Sequence, residues 1–386
     1  MSLCFSAEEH QRRFSRAREL MKSSAIDGLF VTGEENFQYF VGNSGKLSTQ
    51  PSALARPAIL FLPREGEPIA VVHALAAEIL RRHSVIRNVK PYSEVLGIPN
   101  ALLVEAVEES RLRGKTLGAE FGLEQRIDMP YNDFFKFIKS VPDTRFVDGT
   151  SILTEMRMVK SKEEVALMVR AADITGRARQ ECFSQIDKGM TEREIARLFS
   201  ELMLREGADR VSFVNISVGQ PVRSTVFPVE VPLEEGQALN LDGGAYFRTH
   251  TIDFPRIATV GKSSERQIAN HKMVVSVSYE MARGIRPGVK CSDIWKIGAG
   301  ALSKYGLPPN PAGRMGHGQG MRSTEPPSIS ATDGTVLEPG MVLSAEPSVI
   351  NESGDFTFEN TFVVTQDGFR QLTNEPDELR EIDFSK

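Results

Sequence analysis

At 386 residues the chain exceeds what one hydrophobic core ordinarily organises, so two domains are expected. Hydrophobic content of 40% and charged content of 25% are ordinary for a soluble globular protein, and no apolar run approaches the roughly 20 residues that span a bilayer. A net charge of -5 without a basic arm argues against nucleic acid as the main partner, and three scattered cysteines (Cys4, Cys182, Cys291) suggest a reduced cytoplasm without disulfides or a zinc ribbon. The start, MSLCFSAEEHQRRF, lacks the apolar core of a signal peptide.

The first stretch reads as α/β. Residues 8–24 form an amphipathic helix with Phe14, Ala17, Leu20 and Met21 on one face, and 26–32 a buried strand. A hairpin follows across 56–63 and 69–73, then helices at 74–83, 99–113 and 130–140, with strands at 116–121 and 145–148. The polar loop 43–55 carries no element. The run 157–182 reads as one long helix with Ser161 as N-cap and Glu163 and Glu164 in its first turn. The domain boundary is placed just before it, giving domains 1–156 and 157–386.

The second domain contains a duplication. IDKGMTEREI (186–195) is echoed by IRPGVKCSDI (285–294), and LEEGQALNLD (233–242) by LEPGMVLSAE (337–346). In each copy a glycine turn leads into a strand that ends on an acid, Asp242 or Glu346, and a second acid follows on the next strand, Asp253 or Glu359. Two helix–turn–helix–hairpin units in tandem imply a pseudo-twofold α+β domain with a central antiparallel sheet. Four buried carboxylates repel one another unless a cation sits among them. His317, flanked by glycines in GRMGHGQGM, supplies a nitrogen. Four carboxylates and one imidazole suit two divalent ions (manganese, iron, cobalt or zinc) and, without thiolate, not a structural zinc site. Such a pair lowers the pKa of a bridging water from about 15.7 toward about 7.

LNLDGGAYFRTHTIDFPR, GHGQGM, LEPGMVLSAEPSV and FTFENTFVVTQDG resemble the metal-site motifs of the pita-bread-fold metallopeptidases, the group of methionine aminopeptidase, aminopeptidase P, prolidase and the metal-free creatinase. EMRMVKSKEEVALMVRAADIT is similar to the segment that opens their catalytic domain, and GLFVTGEENFQYFVG with LGAEFG resembles the creatinase/prolidase N-terminal domain. The likeness implies an α/β N-terminal domain followed by a pita-bread catalytic domain, and a homodimer. It implies Asp242, Asp253, His317, Glu346 and Glu359 as metal ligands. Asp253 and Glu359 would then bridge both ions, Asp242 would chelate one, and His317 and Glu346 would complete the other, with Glu346 handling protons. Retention of all five argues against creatinase activity.

Two positions depart from the proline-specific pattern. Thr324 stands seven residues after His317, where a second His is usual, and Thr225 or Val226 stands where a His precedes the first hairpin. A Thr hydroxyl donates a hydrogen bond but does not titrate near neutral pH. Arg223 is a candidate for an anionic substrate group, against the plainer reading of a surface or ion-paired arginine. Arg256 either pairs with a ligand carboxylate or touches substrate, and His250 reads as an exposed or outer residue on the turn side. Arg314 either orients a carboxylate or packs as structure. Pro326 and Pro327 rigidify the loop after His317, and Trp295 reads as core.

The favoured function is a dinuclear metallohydrolase of the Xaa-Pro dipeptidase or aminopeptidase type, cleaving a short peptide or small C–N amide by attack of a metal-bridging hydroxide. Two alternatives stand beside it. One is a metal-dependent lyase on a small charged osmolyte, like the dimethylsulfoniopropionate lyases that reuse this fold. The other is a pita-bread binding module without catalysis.

Overall fold

A computed structural model describes residues 4–42, 56–219, 227–310 and 313–384. The chain divides into two compact units, Met1–Arg157 and Met158–Lys386.

The first unit runs α1 (Ala7–Ser23), β1 (Gly28–Val31), α2 (Glu34–Val41), β2 (Ile59–Pro63), β3 (Ile69–His73), α3 (Ala74–His83), β4 (Asn88–Tyr92), α4 (Asn100–Glu109), β5 (Thr116–Ala119), α5 (Tyr131–Ser140) and β6 (Arg145–Asp148), with α6 (Thr150–Met158) at the division. Its sheet has the order β4-β3-β2-β1-β5-β6. The GLFV run of β1 is buried throughout, as a central strand covered on both faces must be. Phe30 from that strand packs against Phe61, Phe134, Phe137 and Phe146. Helix α2 was not legible in the sequence, because Gly33 at its N-cap has no capping side chain. The cap comes from far along the chain: the buried Glu120 carboxylate accepts from the Thr32 and Gly33 amides at 2.7 and 2.8 Å. Strand β4 was also missed. Its Pro91 argues against a ladder position and is tolerated because β4 lies at the sheet edge.

The second unit opens with α7 (Lys162–Ser184) and α8 (Glu192–Arg205), followed by β7 (Arg210–Val218), β8 (Ala238–Phe247), β9 (His250–Asp253) and β10 (Arg256–Val260). The second copy has α9 (Glu265–Ala282), α10 (Cys291–Ser303), β11 (Arg314–Gly318), β12 (Glu325–Ser330), β13 (Val342–Ala345), β14 (Ser348–Asn351), β15 (Gly354–Thr357) and β16 (Asn360–Val364). Strands β17 (Phe369–Gln371) and β18 (Arg380–Ile382) close the unit. The helix expected over 157–182 is divided. Ser161 takes an extended conformation and forms a reciprocal capping box with Glu164, so α7 starts afresh after α6 has ended.

The duplication is visible in the strand pairing. Isolated bridges Thr191↔Pro232 and Lys290↔Val336 stand just before the LEEG and LEPG turns. Instead of one central sheet there are two, β18-β10-β8-β7 with β9 paired to β8, and β12-β11-β13-β16-β17. β7-β8-β10 in the first matches β11-β13-β16 in the second. Each copy packs its own helices on its own sheet: Ile195, Phe199 and Leu241 share one core cluster, and Ile294, Leu302 and Leu343 another. Trp295 is partly buried and packs against the latter. Pro326 and Pro327 belong to β12 rather than to a loop, and β12 is an edge strand. All three cysteines are buried, and none forms a disulfide. Among the described residues no helix is long and apolar enough to cross a membrane.

Candidate metal centre

Asp242 lies in mid-β8, opposite Asn215 of β7. Beyond it the chain turns at Arg248–Thr249 and returns as β9, which places Asp253 beside Gly244. In the second copy Ala345 pairs with Asn360, so Glu346 and Glu359 emerge together just past the β13–β16 ladder. His317 is on β11 between β12 and β13. Its flanking glycines serve main-chain packing. A Cβ at Gly316 would lie 2.1 Å from the Ser344 carbonyl, and one at Gly318 would lie 2.4 Å from that of Pro326.

Ligand atoms of Asp253, His317 and Glu359 all fall within 4.8 Å of one another. The His317 Nε2 is 3.8 Å from Glu346 Oε2 and 4.0 Å from Glu359 Oε1, too far for hydrogen bonds. Its Nδ1 lies 3.1 Å from the Gly318 carbonyl, which can only accept, so Nδ1 carries the hydrogen and Nε2 presents a lone pair to the acids. The His317 amide donates to Ser344 Oγ at 3.1 Å. Gln319, fully buried, donates through Nε2 to the Asp253 carbonyl at 2.9 Å and to Glu359 Oε1 at 2.7 Å.

The electrostatics are those of crowded anions. Burial, then the charges of Asp242 and Glu346, push Asp253 well above the usual carboxylate range. Burial, then Glu346, Asp253 and Asp242, do the same to Glu359. Burial lifts Asp242 to about 6, opposed by Arg179 and by hydrogen bonds from Gly243 and Asn215. Burial and Asp242 lift Glu346 to about 8. Burial and the Arg314 charge lower His317 to about 4, which keeps the imidazole neutral and able to ligate. Asp242 Oδ1, Asp253 Oδ1 and Glu359 Oε2 are buried without a hydrogen-bond partner. Buried carboxylate oxygens without donors, those of Asp253 and Glu359 grouped with a neutral imidazole nitrogen, fit a divalent cation.

The other singled-out residues fall elsewhere. Arg256 does not pair with a ligand carboxylate. It donates to the Glu359 main-chain carbonyl at 2.7 Å and to Asn360 Oδ1 at 2.7 Å, and its ionic partner is Asp377 at 3.5 Å. His250 stands beside the turn, as expected, but is not exposed. It is buried in β9, with Nε2 3.3 Å from Glu164 Oε1. Arg314 donates to Thr324 Oγ1 at 3.4 Å, and its charge eases the acids Asp253 and Glu346 downward. Arg223, Thr225, Val226 and the loop 43–55 lie outside the described residues. Sequence reasoning missed Gln319 and also Asp355, a buried acid on β15 whose charge raises Asp242 and Glu346. Gln319 stands inside a motif already read, GHGQGM, and Asp355 immediately precedes another, FTFEN, so an unexplained polar residue there was the available signal.

Comparison with known proteins bears on both units. The model of metallopeptidase family M24 matches residues 166–366, and that of the creatinase/prolidase N-terminal domain matches 13–159. The Xaa-Pro dipeptidase of Pyrococcus furiosus is 25% identical over 96% of this chain and 99% of its own length. The probable dipeptidase PepE of Mycobacterium tuberculosis is 27% identical, covering 97% of each chain. The crystal structure of the prolidase from Pyrococcus horikoshii OT3 shares the fold, with a TM-score of 0.81, 24% identity and coverage of 95% and 99%.

Proposed function

Because the chain belongs to metallopeptidase family M24, we propose that it hydrolyses short peptides of the Xaa-Pro type, with two divalent cations held by Asp242, Asp253, His317, Glu346 and Glu359. The observation that carries this reading is the convergence of Asp253, His317 and Glu359 within 4.8 Å. Relatives named Xaa-Pro dipeptidase, aligned over nearly the whole chain, support the substrate class.

Asp242 and Asp253 from the first copy of the duplication, and His317, Glu346 and Glu359 from the second, would hold the cations. Manganese, iron, cobalt and zinc all suit such oxygen-rich donors. When bound, a metal pair supplies Lewis acidity and lowers the pKa of a bridging water enough to yield hydroxide as nucleophile. The protein does the rest. Glu346 is the acid best placed to move a proton between water and the leaving amine, since its side chain is 23% exposed against 1% for Glu359. Thr324, bonded by Arg314, offers a hydroxyl to the peptide where an imidazole is usual, and can orient but not titrate. Arg223 is assigned to the carboxylate end of the substrate.

The test is metal analysis of the purified chain, followed by assay on Xaa-Pro dipeptides, other small amides, and sulfonium and betaine compounds. Chelation should abolish Xaa-Pro cleavage and added manganese should restore it. Absence of any bound or activating divalent metal would overturn the reading. So would elimination from a sulfonium substrate with every amide left intact.

A further inference from the structure

Gln319 is fully buried, and a buried amide is costly unless each end is bonded. Its bonds are specific. The Oε1 accepts from the Asp253 amide at 3.3 Å, and Nε2 donates to the Asp253 carbonyl at 2.9 Å and to Glu359 Oε1 at 2.7 Å. Asp253 belongs to the first copy of the duplication and Glu359 to the second, while Gln319 itself follows His317 by two residues. One side chain therefore ties together segments carrying three of the five residues, four acids and one imidazole, assigned to the metals.

We infer that Gln319 is a positioning residue for the metal centre, fixing the Glu359 carboxylate against Asp253 so that the two acids face the cations together. This rests on the metal reading proposed above. Hydrogen-bonding Oε1 pins the rotation of the carboxylate plane and leaves Oε2, which has no hydrogen-bond partner, free to coordinate. The segments of Asp253 and Glu359 thus meet on one side chain. Gln319 holds both.

Gln319→Met keeps the length of the side chain and removes every donor and acceptor. The manganese binding isotherm of the metal-depleted variant should weaken by about 10- to 100-fold for at least one ion, the usual effect of removing an outer partner of a ligand. Folding is checked by circular dichroism and melting of the metal-free forms. A residue that merely packs would shift the melting temperature and leave the isotherm in place. Should the Met variant fail to fold, Gln319→Asn carries the same expectation, because it keeps an amide for Asp253 and falls one methylene short of Glu359. Wild-type affinity in a folded variant would overturn the proposal. A wild-type chain that binds no manganese would instead remove the underlying metal reading, and this proposal with it.

Discussion

Glu346 differs from its neighbours in being reachable. In the metal-free chain burial and the charge of Asp242 raise it to about 8, and its partial exposure gives a proton a route to solvent. Glu346→Gln should lower kcat on a Xaa-Pro dipeptide by roughly 10² to 10⁴, the scale of a lost general acid–base group, with metal content determined on the same sample. A kcat within threefold of wild type would reassign the proton transfer. Arg256 and His250 carry the opposite lesson. Proximity in sequence to Asp253 suggested one role for each, yet Arg256 spends its hydrogen bonds on main-chain carbonyls and Asn360, and His250 faces Glu164. A charged side chain goes to the partner the tertiary fold offers, not to the nearest opposite charge in sequence.

At the scale of elements the two copies of the turn allow a controlled comparison. Gly236 and Gly340 are equivalent, with φ of 82° and 95°, conformations that cost an L-residue about 1–2 kcal/mol. A Cβ at Gly236 meets nothing within 4 Å, whereas one at Gly340 lies 2.8 Å from the Lys160 carbonyl. Gly236→Ala should therefore cost about 1–2 kcal/mol and Gly340→Ala distinctly more, read as the difference in urea midpoints at constant m-value. Equal costs would mean that the contact with Lys160 relaxes freely. At the start of α7, Ser161→Ala removes one arm of a capping box and should cost about 1 kcal/mol in the same assay.

For the whole molecule the cluster links metal, proton and stability. An acid whose pKa is raised on folding favours the folded state below its unfolded pKa and loses that contribution as pH rises through the folded value. Glu346, shifted from 4.5 to about 8, and Asp253 and Glu359, also raised, behave this way. Glu120, Asp355 and Glu375, raised by burial, act in the same sense. His317, lowered from 6.5 to about 4, contributes fully above 6.5 and loses its contribution as pH falls through about 4. Between pH 6.5 and 8 the acids set the sign, so the metal-free chain should melt several degrees lower at pH 8 than at pH 6.5. Divalent metal should reverse that trend, because it binds the ionised acids. At a hundred times its dissociation constant a ligand adds about 2.7 kcal/mol. Differential scanning fluorimetry with chelator or manganese across this range checks both statements, and a metal-free melting point that rises with pH would contradict the account.

The sequence by itself determined the repeated pattern, the helices with local caps, the buried strands, and five candidate ligands. These features are written in nearest-neighbour chemistry and in periodicities of 2 and 3.6. Legibility ended where partners lie far apart along the chain. Helix α2 depends on Glu120, and the split of one expected sheet into two on strand pairings between distant segments. The tertiary structure alone decided that Gln319 joins Asp253 to Glu359, that Asp355 adds a further buried charge, and that His250 and Arg256 turn away from the cluster. Hydrogen bonds and charge interactions depend on distance in space, and folding sets that distance.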